Sequence, residues 1–226
     1  MTKGLFITAT GTDAGKTYLT GLMIKKMRES GYTAGYYKAA LSGAERKGGA
    51  LIPGDADHVK RTAGLTEPFS QMVSYIYDTA VSPHLAAEIE GPLISEEKVL
   101  ADYKKACLKY DYITVEGSGG IICPIRREKP QLMLTDLIKA MNLGVLIVAP
   151  AQLGTINSTI LTIEYARTKG IPVRGVMLNY FHPGDRMEED NKRFIEEYTG
   201  VPVLACVKEL EQDLPMDGKL LAELYR

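Results

Sequence analysis

Leu5, Phe6 and Ile7 form a short apolar run of the kind that lies inside a parallel sheet, buried on both faces. Behind it, Leu19, Leu22, Met23 and Met27 recur at helical spacing, so an amphipathic helix opens at Gly15-Lys16-Thr17. The alternation then repeats along the chain. Further strands are predicted at Tyr36-Tyr37-Lys38, Met72 to Ile76, Tyr112 to Glu116, Val145 to Ala149, Val173 to Asn179 and Val201 to Cys206. Between them Ser82-Pro83 reads as an N-cap with proline at the first helical position, and Ser95-Glu96-Glu97 opens a helix running to about Lys109. Helices are also predicted at 134–141, 155–168, 186–199 and 217–225. Strands alternating with helices pair in parallel through right-handed crossovers. The expected fold is therefore α/β, a three-layer αβα sandwich on a mainly parallel sheet of about seven strands. A single domain over 1–226 is expected, with the glycine-rich segment 41–54 as its longest loop and a candidate for mobility.

The first strand, turn and helix carry the strongest chemical signal. Thr10 to Thr17 reads Thr-Gly-Thr-Asp-Ala-Gly-Lys-Thr. A strand running into such a turn and a helix N-terminus aims backbone N–H groups and the helix dipole at one spot, as a phosphate cradle does. In that cradle Lys16 reaches the β- and γ-phosphates of a nucleoside triphosphate and Thr17 holds Mg²⁺ through its hydroxyl. One detail is irregular. The usual spacing puts the first glycine at position 10, where this chain has Thr10, so the sharp bend is assigned to Gly11.

Composition narrows the partners. Among 226 residues, 27 basic side chains face 28 acidic ones, for a net charge of −1. That balance leaves no electrostatic footprint for nucleic acid or an anionic membrane. Cys107, Cys123 and Cys206 are odd in number and far apart, as thiols of a reducing compartment are. With no leader-like start and no apolar run long enough to span a bilayer, a soluble, cytoplasmic protein is expected.

Ligands of open α/β sheets bind beyond the carboxyl ends of the strands, and several polar residues fall there. Lys38 ends the second predicted strand, where its ammonium either offsets charge on a phosphate or carbamate or simply snorkels to solvent. Ser42 follows within reach of the same space. Asp55 and Asp57 begin the helix after the glycine-rich loop; Asp57 reads as a complement to the helix dipole, and Asp55 is left as a metal candidate. Glu116 ends an apolar strand and precedes Gly117-Ser118-Gly119-Gly120, a placement suited to metal contact and close substrate approach, or to a plain glycine-rich turn. Asn179 ends another strand; its amide carries the donor and acceptor that read a purine edge, yet a turn-initiating asparagine fits as well. His58, His84 and His182 show no metal spacing.

Taken in order, these segments resemble the dethiobiotin synthetase family along essentially the whole chain. The matching pieces are Thr10 to Thr17, Tyr37 to Gly43, Asp55, Ser82-Pro83-His84, Val115 to Gly120, Gly154 to Asn157 and Gly175 to Asn179. The resemblance implies an ATP- and Mg²⁺-dependent ligase that closes a cyclic urea from 7,8-diaminononanoate and CO₂ through a carbamate and its mixed anhydride with phosphate. It implies catalytic roles for Lys16, Lys38 and Thr12, and Mg²⁺ held by Thr17, Asp55 and Glu116. Nucleotide contacts would come from Asp13, Ala14, Gly15, Lys16, Thr17, Tyr18, Asp55, Glu116, Gly117, Ser118, Gly119, Asn179 and Lys208. Substrate contacts would come from Thr12, Asp13, Lys38, Ser42, Ser82, Gly119 and Gly120. The family is homodimeric, with the aliphatic tail of the substrate near the subunit interface and the 150–157 segment. Three departures stand out: Ala9 for a usual glycine, Ala39 for a usual proline, and Lys208 for a usual proline in the loop over the base.

Two rivals share the phosphate loop. A switch ATPase of the partition or septum-site class carries a second signature lysine, where this chain has Gly11. A relative of the cobyrinate amidating enzymes needs a glutaminase domain, for which 226 residues leave no room.

Overall fold

The computed structural model describes residues 2–226. In chain order the first half comprises β1 (Lys3–Ala9), α1 (Lys16–Glu29), β2 (Ala34–Leu41), β3 (Glu45–Lys47), β4 (Ala50–Ile52) and α2 (Gly54–Ala63). Then come α3 (Phe69–Met72), β5 (Val73–Ile76), α4 (Pro83–Glu90), α5 (Glu96–Cys107) and β6 (Tyr112–Glu116). The second half adds β7 (Pro124–Arg126), β8 (Leu132–Met133), α6 (Leu134–Ala140), β9 (Val145–Pro150) and α7 (Thr155–Thr168). It closes with β10 (Val173–Asn179), α8 (Arg186–Thr199), β11 (Val203–Val207) and α9 (Gly218–Ala222).

Seven strands form one sheet in the order β11-β10-β9-β1-β6-β2-β5, and every pairing is parallel. β1 is central, and its alternating side chains enter two separate cores. Leu5 and Ile7 pack with Leu19, Met23 and Met27 of α1, Val59 of α2 and Leu221 of α9. Phe6 packs on the other face with Val99 of α5, Leu137 of α6, Ile163 of α7 and Ile195 of α8. A strand covered on both faces reads as an unbroken apolar run, which is why Leu5-Phe6-Ile7 was legible. The three-layer αβα architecture is as expected.

Differences from the sequence reading are local. The second strand continues three residues past Lys38, to Leu41. The last strand starts at Val203 instead of Val201 and reaches Val207, because Pro202 offers the sheet no N–H. The final helix spans Gly218–Ala222 only. The segment expected as the longest loop holds an antiparallel hairpin, β3 with β4. Gly48 and Gly49, with φ of 59° and 83°, form the two-residue turn that such a hairpin requires. A second hairpin, β7 with β8, was not anticipated. Among the described residues no helix is long and apolar enough to cross a membrane.

Candidate active site

The loop after β1 is tied to β9 at its start, where Thr10 N donates to Val148 O (3.1 Å), and on the other edge of β1 Gly117 N donates to Ile7 O (2.9 Å). Its bend is not at Gly11. The left-handed residues are Asp13 (φ 59°) and Gly15 (φ 89°), and aspartate is one of the few residues that tolerates this region. Gly15 is also constrained by space, since a Cβ there would lie 2.0 Å from Asn179 Nδ2. Helix α1 then starts with no side-chain cap, leaving its first N–H groups directed into the cleft.

Register builds the charged centre. Lys38 on β2 stands directly beside Glu116 on β6, and two residues earlier Tyr36 stands beside Thr114. With strand period two, Tyr36 and Lys38 share one face, the α1 face. Lys38 is 3% exposed and does not snorkel. Its Nζ donates to Asp55 Oδ2 (2.7 Å), Glu116 Oε1 (2.8 Å) and Gly117 O (3.1 Å), which occupies all three ammonium protons. Glu116, 2% exposed, also accepts from Thr17 Oγ1 on Oε1 (2.8 Å) and from Tyr36 OH on Oε2 (3.0 Å).

Burial and charge compete at each of these groups. Burial of Lys38 favours its neutral form, but Glu116 and Asp55 outweigh this and hold the ammonium above the ordinary lysine range. Lys16, also buried, is lowered by desolvation and then by the Lys38 charge; its Nζ donates to Gly11 O (3.2 Å). Burial raises Asp55, yet the Lys38 charge and hydrogen bond bring it below the usual carboxylate value. Burial, then the Glu116 charge, pushes Tyr36 well above the ordinary phenol range, so it stays a donor.

These groups lie in a cleft of about 780 Å³. Of the residues expected in the site, Thr12, Asp13, Gly15, Lys16, Thr17, Tyr18, Lys38, Ser42, Asp55, Ser82, Glu116, Gly117, Ser118 and Gly119 line it. Ser42 donates its proton to Val81 O, which leaves the hydroxyl oxygen as an acceptor. Ala14, Gly120, Asn179 and Lys208 do not line the cleft. Ala14 is buried beneath the loop, with its carbonyl taken by Asn179 Nδ2 (3.1 Å). Gly120 packs near the Ala9 carbonyl, and Lys208 is exposed just past β11. Asn179 is itself 1% exposed, and its Oδ1 is a buried acceptor with no donor. Sequence reasoning missed His58, Tyr180, Cys123 and Tyr36. The first three line the cleft, and burial pushes the Cys123 thiol up to about 11. Tyr36 lies behind Glu116, and its place two residues before Lys38 was the available signal.

Among the described residues no group of three or more His, Cys, Asp or Glu side chains is placed to hold a metal. Thr17, Asp55 and Glu116 nevertheless offer a set of oxygen donors, two of them carboxylates, meeting on Lys38 or each other at 2.7–2.8 Å. Oxygen donors of this kind suit a hard divalent cation.

A family model described as an AAA domain matches residues 3–215. An ATP-dependent dethiobiotin synthetase of Clostridium botulinum (strain Eklund 17B) is 47% identical over 225 residues, covering 100% of this chain and 99% of that protein. The corresponding enzyme of Clostridium perfringens (strain 13) is 49% identical, covering 93% of this chain and 92% of its own. Among solved structures, a ParA family ATPase from Chlorobium tepidum superposes with a TM-score of 0.55 at 14% identity, covering 93% of this chain and 86% of that one. The septum site-determining protein MinD of Pyrococcus horikoshii, complexed with Mg-ADP, gives a TM-score of 0.52 at 18% identity, covering 92% and 82%. At these identities the last two likenesses describe the fold alone.

Proposed function

The chain belongs to the ATP-dependent dethiobiotin synthetase family, and from that premise we propose that it closes the cyclic urea of dethiobiotin on 7,8-diaminononanoate, with CO₂ as the carbon source. It is an ATP-dependent ligase that forms C–N bonds and releases ADP and phosphate. The observation that carries this reading is the 47% identity over the full chain to an enzyme of that name. The site chemistry supports it independently, through a phosphate loop beside a buried lysine–carboxylate cluster.

In the reaction one amine captures CO₂ as a carbamate, the carbamate takes the γ-phosphoryl group, and the second amine displaces phosphate to close the ring. The backbone from Asp13 to Tyr18, with Lys16, cradles the triphosphate. Lys38 meets charge that develops on the carbamate and transferring phosphoryl oxygens, the term that dominates phosphoryl transfer. Its three protons already have acceptors, so a ligand oxygen gains one by replacing Asp55, the most exposed of the partners. Thr12 and Asp13 face the amines, and the Ser42 oxygen accepts an amine N–H. Gly117 to Gly119, stripped of large side chains, lets substrate approach Glu116 closely. Thr17, Asp55 and Glu116 hold Mg²⁺, which when bound offsets phosphate charge. Asn179 lies beneath the loop beside the cleft, and its unpartnered Oδ1 is assigned to a donor on the base edge.

The whole of 1–226 acts as one catalytic domain in the cytoplasm, with neither nucleic acid nor membrane as a partner. The exposed Leu153 and Leu161, 83% and 61% exposed, suit burial in a homodimer that also covers the substrate's aliphatic tail. Light scattering across a dilution series checks this: a fully active monomer overturns it.

The deciding experiment is coupling. ATP and Mg²⁺ alone should give slow hydrolysis, and adding the diamine with bicarbonate should release phosphate in step with a cyclic urea detected by mass. If the diamine neither binds nor stimulates phosphate release, the assignment fails.

A further inference from the structure

The hydroxyl of Tyr36 has no place in the reading above, yet it touches the centre of the site. Tyr36 is 1% exposed and packs in the apolar core of the α1 face with Ile7 and Met23. A phenol buried so deeply needs a partner for its O–H, and here the partner is Glu116 Oε2 at 3.0 Å. The two oxygens of Glu116 are therefore divided between the core and the cleft. Oε2 is directed at the core by Tyr36, and Oε1 is directed at Thr17 and Lys38. Without the phenol, only the two bonds to Oε1 restrain the carboxylate, whose terminal torsion is intrinsically broad and roughly two-fold.

From this division we infer that Tyr36 is a positioning residue: its hydroxyl sets the rotation of the Glu116 carboxylate and so the affinity of the site for a divalent cation. The inference rests on the proposed metal role of Glu116. Groups behind a metal ligand typically change metal affinity by about 10–100-fold when removed, although they never touch the ion. The phenol is a fixed donor from the rigid interior of a fully buried strand, which is how a supporting group keeps a ligand in one orientation. Two-residue spacing places it there, since Tyr36 and Lys38 share a face and flank Glu116 from behind and beside.

Tyr36→Phe keeps the ring and removes the hydroxyl. With a non-hydrolysable ATP analogue present, Mn²⁺ binding followed by electron paramagnetic resonance should weaken by roughly 10-fold or more. The Mg²⁺ concentration for half-maximal activity should rise in parallel, while KM for the diamine stays as in the wild type. Glu116→Gln is measured alongside. Unchanged Mn²⁺ binding in that variant overturns the metal role of Glu116. Weakened binding in Glu116→Gln with wild-type binding in Tyr36→Phe overturns the role of Tyr36 alone. The double variant gives a second test that does not need Tyr36→Phe to fold, because a neutral amide tolerates loss of the phenol better than a buried carboxylate does. Its Mn²⁺ affinity should equal that of Glu116→Gln; a further loss means that Tyr36 does not act through Glu116.

Discussion

At the phosphate end of the cleft, Lys38 directs three hydrogen bonds to Asp55, Glu116 and Gly117. Beneath the phosphate loop, outside the cleft lining, the only side-chain bond of Asn179 is neutral, Nδ2 to Ala14 O, and its Oδ1 has no donor. One region satisfies its polar groups with each other; the other keeps an acceptor open. The difference bears on how each region would meet a ligand. Opposite charges about 4 Å apart attract by roughly 4 kcal/mol at an effective dielectric of about 20, so a ligand at the charged end must replace an existing contact with one of similar strength. At Asn179 a matching donor would replace nothing, and a net hydrogen bond is worth only about 0.5–1.5 kcal/mol. The charged region would thus favour strongly anionic groups, and the neutral one a single well-placed donor.

The largest test of that contrast removes the ammonium. Lys38→Ala should lower kcat by about 10²–10³, the scale for losing one preorganised electrostatic group, and steady-state kinetics separate this from binding. A rise in KM for ATP alone makes Lys38 a ground-state contact and removes the contrast. Gly15→Ala strikes the point where the phosphate loop meets Asn179. Its left-handed φ and the 2.0 Å approach to Asn179 Nδ2 should together weaken ATP-analogue binding by about 2–3 kcal/mol; unchanged calorimetric affinity would show that the loop accommodates the methyl group. Asn179→Ala should weaken ATP binding by about 1–3 kcal/mol and blunt discrimination among nucleotides. An unchanged nucleotide ranking makes Asn179 solely a latch for the loop.

The smallest effect concerns pH. His182 Nδ1 lies 3.0 Å from Glu188 Oε1, and that hydrogen bond raises the imidazole above its ordinary value. A raised folded-state pKa means that the contribution is complete below the unfolded value of about 6.5 and fades as pH rises through the folded value. The Tm difference between wild type and His182→Gln should therefore be larger under mildly acidic than under alkaline conditions. An equal difference at both removes the pair from the stability balance.

What was legible in the sequence follows from periodicity. The apolar strands announced themselves because both faces of the sheet are covered, and α7 and α8 matched the predicted 155–168 and 186–199. Lys16, Thr17 and Glu116 were readable as residues at strand or helix ends. The hairpin at 45–52 was not read, because Glu45, Arg46 and Lys47 are all exposed and carry no apolar alternation. Its Gly48-Gly49 pair was the overlooked signal. The burial of Asn179 was equally hidden: a strand end says where a side chain starts, whereas the 2.0 Å gap at Gly15 decides that it lies beneath the loop. The pairing of Lys38 with Glu116 required the register of β2 on β6, which no local pattern encodes.

The central position of β1 has a consequence for synthesis. Its partners are β6, ending at Glu116, and β9, ending at Pro150, so the strand leading into the phosphate loop has no partner until Glu116 has been made and is not paired on both edges until Pro150. At about 5–20 residues per second, that leaves Leu5, Phe6 and Ile7 waiting on the order of ten seconds as an unpaired apolar segment. The part of the molecule that ends most rigidly enclosed is the part that depends longest on being kept from the wrong neighbours.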